Sequence, residues 1–151
     1  MRIFADLGEL AAAQGDHLGH TEWRVVTQEQ VNLFADATGD HQWIHVDVDK
    51  AAQGPFGRTI AHGYLSLSML PSFMQELVRV DGIRMGINYG LNKVRFPTPV
   101  PVGSRVRASG EIAEITATAN GTLVNLKLTI EVEGVAKPAC VAETLSLYIP
   151  A

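Results

Sequence analysis

The stretch Tyr64-Leu65-Ser66-Leu67-Ser68-Met69-Leu70 constrains the fold more than any other part of the chain. It is apolar on nearly every side, with only small hydroxyls between, so a helix here has no face that prefers water. Such a helix has to be covered almost all round by other elements. Pro71 follows directly and is expected to end or kink it, with helix resuming through Glu76 to Val80.

The cover is legible in the second half of the chain, where the apolar period changes to two. Ile83, Met85 and Ile87 alternate with Arg84, Gly86 and Asn88. Further on, Val124, Leu126, Leu128, Ile130 and Val132 alternate with polar residues, the pattern of a strand with one buried face and one wet face. Asn120-Gly121 is predicted to be a two-residue hairpin turn joining this strand to one over residues 105–116. Leu145, Leu147 and Ile149 predict a last strand, while Pro97, Pro99 and Pro101 keep the segment after Phe96 out of a central one. An antiparallel sheet of about five strands curled around one apolar helix satisfies both halves. The expectation is therefore an α+β fold, one domain over residues 1–151. A sheet left open at its edge invites a second copy, so a homodimer is expected.

Composition narrows the function classes. Hydrophobic residues make up 46% and charged residues 19%, the balance of an ordinary globular protein. A net charge of −4 argues against nucleic acid or an anionic membrane as the main partner. The single cysteine, Cys140, excludes an internal disulfide, and its setting between Ala139 and Val141 favours a buried thiol over a nucleophile. No apolar run approaches the roughly 20 residues that span a bilayer. The opening Met1-Arg2-Ile3-Phe4-Ala5-Asp6 meets an acid too early for a secretory signal, so a soluble, cytoplasmic protein is expected.

The residues that can do chemistry lie in two short segments. Thr27 and Gln30 have the spacing of a capping box; Val31, Phe34 and Ala35 then form one apolar face, and Gly39 suits a helix C-terminus. Asp40 thus stands at the exit of a helix, at the head of a loop-rich stretch reaching Thr59 with a helical turn near residues 48–53. His45 follows five residues later, and a carboxylate and an imidazole so placed can converge as an acid and base pair. Gly63 opens the apolar helix, where free N–H groups favour a developing negative charge. Taken singly, each has a plainer role: Asp40 as a turn residue, His45 as a satisfied structural histidine, His62 and Asp47 as caps or loop ties. No HxH or HExxH spacing accompanies them, so no metal site is expected.

Phe34-Ala35-Asp36-Ala37-Thr38-Gly39-Asp40-His41-Gln42-Trp43-Ile44-His45-Val46-Asp47, followed by Ile60-Ala61-His62-Gly63, resembles the hydratase signature of the MaoC-like dehydratases and (R)-specific enoyl-CoA hydratases. The segment from Asn92 to Gly103 resembles a later element of that family, a strand reaching a Pro-Val and Gly turn. The likeness runs from Thr27 to Val106 and more loosely to the end. It implies a hot-dog domain, with Asp40 and His45 as the catalytic pair and Gly63 as the backbone oxyanion donor. It implies hydration of a trans-2-enoyl-CoA to an (R)-3-hydroxyacyl-CoA, with no cofactor beyond the coenzyme A of the substrate. Where the family usually carries Asn-Pro, this chain has Gln42-Trp43. Gln42 keeps an amide that can orient water, and Trp43 is expected to crowd the acyl pocket. Tyr64, Leu67 and Met69 are expected to wall that pocket, and His62 to stand beside the site. Arg95, with Arg84 and Lys93, is a candidate for the CoA phosphates, or else part of a solvated strand face. Two rival readings are a hot-dog acyl-CoA thioesterase and a non-catalytic acyl-binding subunit of a heterodimeric dehydratase.

Overall fold

The apolar run forms one unbroken helix, and everything else is arranged around it. In the computed structural model, which describes residues 1–151, the chain opens with β1 (Arg2–Phe4), α1 (Leu7–Ala12), β2 (His17–His20) and β3 (Arg24–Val25). Three helices follow, α2 (Gln28–Thr38), α3 (Trp43–Val46) and α4 (Val48–Ala52), and then the apolar helix α5 (Gly63–Leu77). The rest is strand: β4 (Val78–Val80), β5 (Ile83–Arg95), β6 (Arg105–Thr118), β7 (Gly121–Val132) and β8 (Cys140–Pro150).

The main sheet is antiparallel, in the order β2-β6-β7-β8-β5, with β3 also paired to β6. Leu65, Met69, Leu70, Phe73 and Leu77 of α5 share one core with Ile112, Leu126, Leu128 and Ile130 of the sheet. The sheet thus wraps a central apolar helix, the α+β hot-dog arrangement the resemblance implies. Cys140 is fully buried at the start of β8, and burial pushes its thiol up to about 11, which keeps it protonated and inert.

Several local expectations are corrected. Pro71 neither ends nor splits α5, which continues to Leu77. One missing N–H is a small loss beside the burial of Leu70, Phe73 and Leu77, whose combined transfer from water outweighs it. Helix does not reach Val80: Val78–Val80 instead pairs in parallel with Arg2–Phe4, a partner lying at the far end of the chain. The hairpin turn falls on Ala119 and Asn120, because Thr118 pairs with Gly121. Gly121, at φ +149°, is needed for a different reason: a Cβ there would collide with the Tyr148 carbonyl of β8. The sheet has six strands, since the short β2 and β3 carry no period of their own.

The largest departure concerns β5. Its apolar residues do alternate, but Met85, Ile87, Tyr89 and Leu91 are each between 44 and 67% exposed. β5 is an edge strand, bonded only to β8, and a register shift between Asn88 and Gly90 divides these side chains between its two faces. Met85 and Ile87 lie opposite Ile149 and Leu147, while Leu91 lies opposite Thr144 on the side of α5.

Phe73 is the largest fully buried side chain in the core. Phe73→Ala is expected to destabilise the fold by about 3–5 kcal/mol, read as a lower urea midpoint at unchanged slope.

Candidate active site

The site is assembled where α2 ends and α5 begins. Thr27 caps α2, its hydroxyl accepting from the Gln30 N–H at 3.1 Å. Gly39 closes the helix in the left-handed region at φ +79°, its N–H donating to the Ala35 carbonyl at 2.8 Å. This turn delivers Asp40 at a set position, with its side chain about half exposed (54%). One carboxylate oxygen accepts from the Gln42 N–H at 3.3 Å.

His45 does not lie on a loop, as its surroundings in sequence suggest, but on the one-turn helix α3, and only 7% of it is exposed. Its Nδ1 lies 2.7 Å from the Ile60 carbonyl. A carbonyl only accepts, so Nδ1 carries the proton and Nε2 is left with a free lone pair. Burial lowers the His45 pKa from its ordinary 6.5, outweighing the Ile60 bond, which raises it; His62 adds to the lowering and Asp40 opposes it. The imidazole is thereby kept neutral, the form that can take a proton.

His62, 3% exposed, immediately precedes α5. Its side chain caps nothing; Nε2 donates to the Asp40 carbonyl at 2.9 Å and ties the end of α2 to the start of α5. Its ring stacks on that of His45, centroids 3.8 Å apart, and is flanked by Phe34 at 4.9 Å. Asp40, His45 and His62 each bring one polar side-chain atom within 4.8 Å of the others.

Gly63 is the first residue of α5, so its N–H has no intrahelical acceptor. The Phe96 ring lies against it, at 3.2 Å from where a Cβ would stand. Gly63 and His45 line the same cavity of about 300 Å³, together with Ser66, Phe56, Phe96 and Ala139. Asp40 does not line this cavity, but its carboxylate comes within 4.8 Å of the His45 ring. A neutral imidazole with a free lone pair, that carboxylate and a helix N–H on the cavity can move a proton while an oxygen gains charge.

The other expected residues are placed less uniformly. Gln42 precedes α3, its backbone carbonyl accepting from the His45 N–H at 2.9 Å. Trp43 does not line the cavity: it packs on Gly54 with Lys50 over its ring at 4.8 Å. The three residues expected to form the helix wall do not line this cavity. Tyr64 is 71% exposed and meets Phe96 edge-on, Met69 is in the core, and Leu67 faces a separate hollow between α5 and β5. Successive helix positions turn by about 100°, so only the face bearing Gly63 and Ser66 looks into the cavity. Arg95 ends β5 next to Phe96, whereas Arg84 lies near the other end, about 36 Å of strand away, and cannot share one ligand site with it. Asp47 is the N-cap of α4, accepting from the Lys50 N–H at 3.0 Å. Gln28 donates to the His45 carbonyl at 2.8 Å and accepts from the Thr59 hydroxyl at 2.6 Å, and nothing in the sequence setting of either residue marks it out.

The model of the MaoC like domain matches residues 9–133 of this chain. Over 150 residues the chain is 56% identical to the 3-hydroxyacyl-thioester dehydratase Z of Mycobacterium tuberculosis, covering 99% of both proteins. Nodulation protein N of Rhizobium leguminosarum is 41% identical over 144 residues, spanning 93% of this chain and 89% of that one. Among solved structures, the unliganded R-hydratase PhaJ1 of Pseudomonas aeruginosa superposes with a TM-score of 0.78 at 22% identity, covering 98% of this chain and 88% of the other, a likeness of fold.

The site makes opposite demands on two nearby histidines. His41, exposed and bonded to Asp36 at 2.8 Å, has its pKa raised by that bond, while His45 is lowered by burial. A ring-proton titration by NMR is expected to give a His41 midpoint above 6.5 and a His45 midpoint below it.

With the matched domain and the full-length kinship beside this geometry, the chain belongs to the MaoC-like dehydratase family and is a hydratase/dehydratase enzyme.

Proposed function

We propose that this enzyme hydrates trans-2-enoyl-CoA to (R)-3-hydroxyacyl-CoA, and runs the reverse dehydration, with Asp40 and His45 as catalytic residues and the Gly63 N–H as the oxyanion donor. The observation that carries the reading is the bond from His45 Nδ1–H to the Ile60 carbonyl, which leaves Nε2 as a base facing the cavity shared with Gly63. The thioester carbonyl rests against the Gly63 N–H, where the partial positive charge of the α5 N-terminus opposes the enolate charge. One water sits between Asp40 and His45. As its oxygen bonds to C3, Nε2 takes its proton; the C2–C3 π electrons move to C2 and the carbonyl oxygen. The proton is then returned to C2 on the same face, so water is added with no net gain or loss of protons. The reaction is redox-neutral and uses no cofactor beyond the coenzyme A of the substrate. The (R) hand follows the resemblance and the R-hydratase among the structural neighbours.

His62 and Gln42 serve the substrate side of the same site, His62 by holding the Asp40 backbone and Gln42 through its free amide. Tyr64 and Arg95 flank Phe96 from outside and meet the CoA portion at the cavity mouth. Residues 1–151 act as one domain, and two copies pair through the uncovered edge strand β5. The exposed apolar side chains of that strand, Met85 and Ile87 on one face and Leu91 on the other, support the pairing. A thioesterase has no need of the Asp40 and His45 pair, and neither does a non-catalytic subunit.

Three measurements test the reading. Decay of the ultraviolet absorbance of crotonyl-CoA is expected with the native protein, and Asp40→Asn is expected to slow it about 10²–10⁴-fold at an unchanged melting curve. Full activity in that variant, or release of free CoA without hydration, would overturn the assignment. Because His45 must be neutral and its pKa is lowered, the acid limb of kcat/KM is expected to fall below pH 6.5. Ile87→Asp is expected to convert a dimer to monomer in sedimentation; a monomeric native protein would remove the dimer.

A further inference from the structure

The His45 tautomer on which the reaction depends is held by a bond to the main chain, and that bond needs its own support. α3 is a single turn of four residues whose N-cap makes no side-chain bond, too short to be stable by itself. Its hold on the segment leading to α5 consists of two bonds made by Ile60, whose N–H donates to the Ile44 carbonyl at 3.0 Å and whose carbonyl accepts from His45 Nδ1.

Around these bonds lies one further side chain, Gln28, the first residue of α2. Its Nε2 donates to the His45 carbonyl at 2.8 Å and to Asn32 Oδ1 at 2.9 Å. Its Oε1 accepts from the Thr59 hydroxyl at 2.6 Å, and Thr59 is 3% exposed. A single amide therefore joins three segments: α2, which ends at Asp40; α3, which carries His45; and Thr59-Ile60, which carries the acceptor of His45 Nδ1 and runs on to Gly63. We propose that Gln28, acting with Thr59, is a positioning residue that locks α3 against Ile60 and so keeps the proton of His45 on Nδ1. The inference rests on the reading of His45 as the base.

The chemical consequence is specific. If α3 can slip, Nδ1–H loses Ile60 as its acceptor and the two imidazole tautomers mix. The tautomer protonated at Nε2 presents a donor where the attacking water needs an acceptor. Turnover falls, while the contacts that bind the thioester, at Gly63 and along the cavity, stay in place. A purely structural role for Gln28 would lower stability and leave the tautomer alone.

The test uses Gln28→Ala and Thr59→Val, with Thr59→Ser as the variant that keeps the hydroxyl. Crotonyl-CoA hydration supplies kcat and KM, thermal melting supplies stability, and long-range proton–nitrogen NMR of the unliganded protein reads the His45 tautomer. The native ring and Thr59→Ser are expected to show one tautomer, protonated at Nδ1. Gln28→Ala and Thr59→Val are expected to show mixed tautomers and a kcat lower by about 2- to 10-fold, in proportion to the fraction of ring that has lost the Nδ1 proton, at nearly unchanged KM. An unmixed ring in both variants, or unchanged kcat, would overturn the proposal; so would a loss confined to KM. Should Gln28→Ala fail to fold, the contrast between Thr59→Val and Thr59→Ser decides the matter. Tautomer mixing in the variants of a native protein that hydrates no enoyl thioester would leave the lock standing and remove the reaction instead.

Discussion

Burial of α5 governs this structure. Its apolar side, with Leu65, Met69, Leu70, Phe73 and Leu77, is stabilised only away from water, so the antiparallel sheet curls around that side. Tyr64, Ser68, Pro71, Ser72 and Gln75 are left exposed; the helix is not covered all round as its sequence suggests. That demand holds Pro71 inside the helix, since Phe73 and Leu77 beyond it contribute more by burial than the missing N–H takes away. It also decides where the chemistry sits. A covered helix can present unpaired backbone N–H groups only at its N-terminus, and here that end opens onto the cavity shared by His45 and Gly63.

Hydrogen bonds to main-chain carbonyls, more than ion pairs, set the site geometry. His45 is fixed by Ile60, His62 by the backbone of Asp40, and the His45 carbonyl by Gln28. Such bonds orient the imidazoles without adding charge, and burial then lowers the pKa of His45. Asp40 is the exposed member of the group, stationed by the left-handed turn at Gly39 and not by packing. A buried imidazole held neutral beside a wetter carboxylate suits the handling of water that a hydratase/dehydratase requires.

Much of this was legible in the order of residues. The capping signal at Thr27, the glycine stop at Gly39, the all-apolar helix and the strict alternation from Val124 to Val132 each describe a local preference, and each element formed as its pattern required. The convergence of Asp40 and His45 was foreshadowed by their spacing and sharpened by resemblance to a family motif. What misled was context. Val78–Val80 became strand because Arg2–Phe4 lay beside it, and Gly121 was required by Tyr148 on a neighbouring strand and not by its turn. Trp43, close to Asp40 and His45 in sequence, turned out to face Gly54 and Lys50.

The sequence by itself determined which segments are helix and strand, which helix must be central, and which few residues carry reactive groups, because these follow from periodicity, caps and residue chemistry within a few positions. Only the tertiary structure decided which nitrogen of His45 is free, that His62 stacks upon it, that Gln28 and Thr59 join α3 to the entry of α5, and that β5 is left at an edge with its apolar side chains exposed. Those outcomes depend on pairs far apart in the chain, whose hydrogen bonds and contacts come into being once the sheet has closed around its helix.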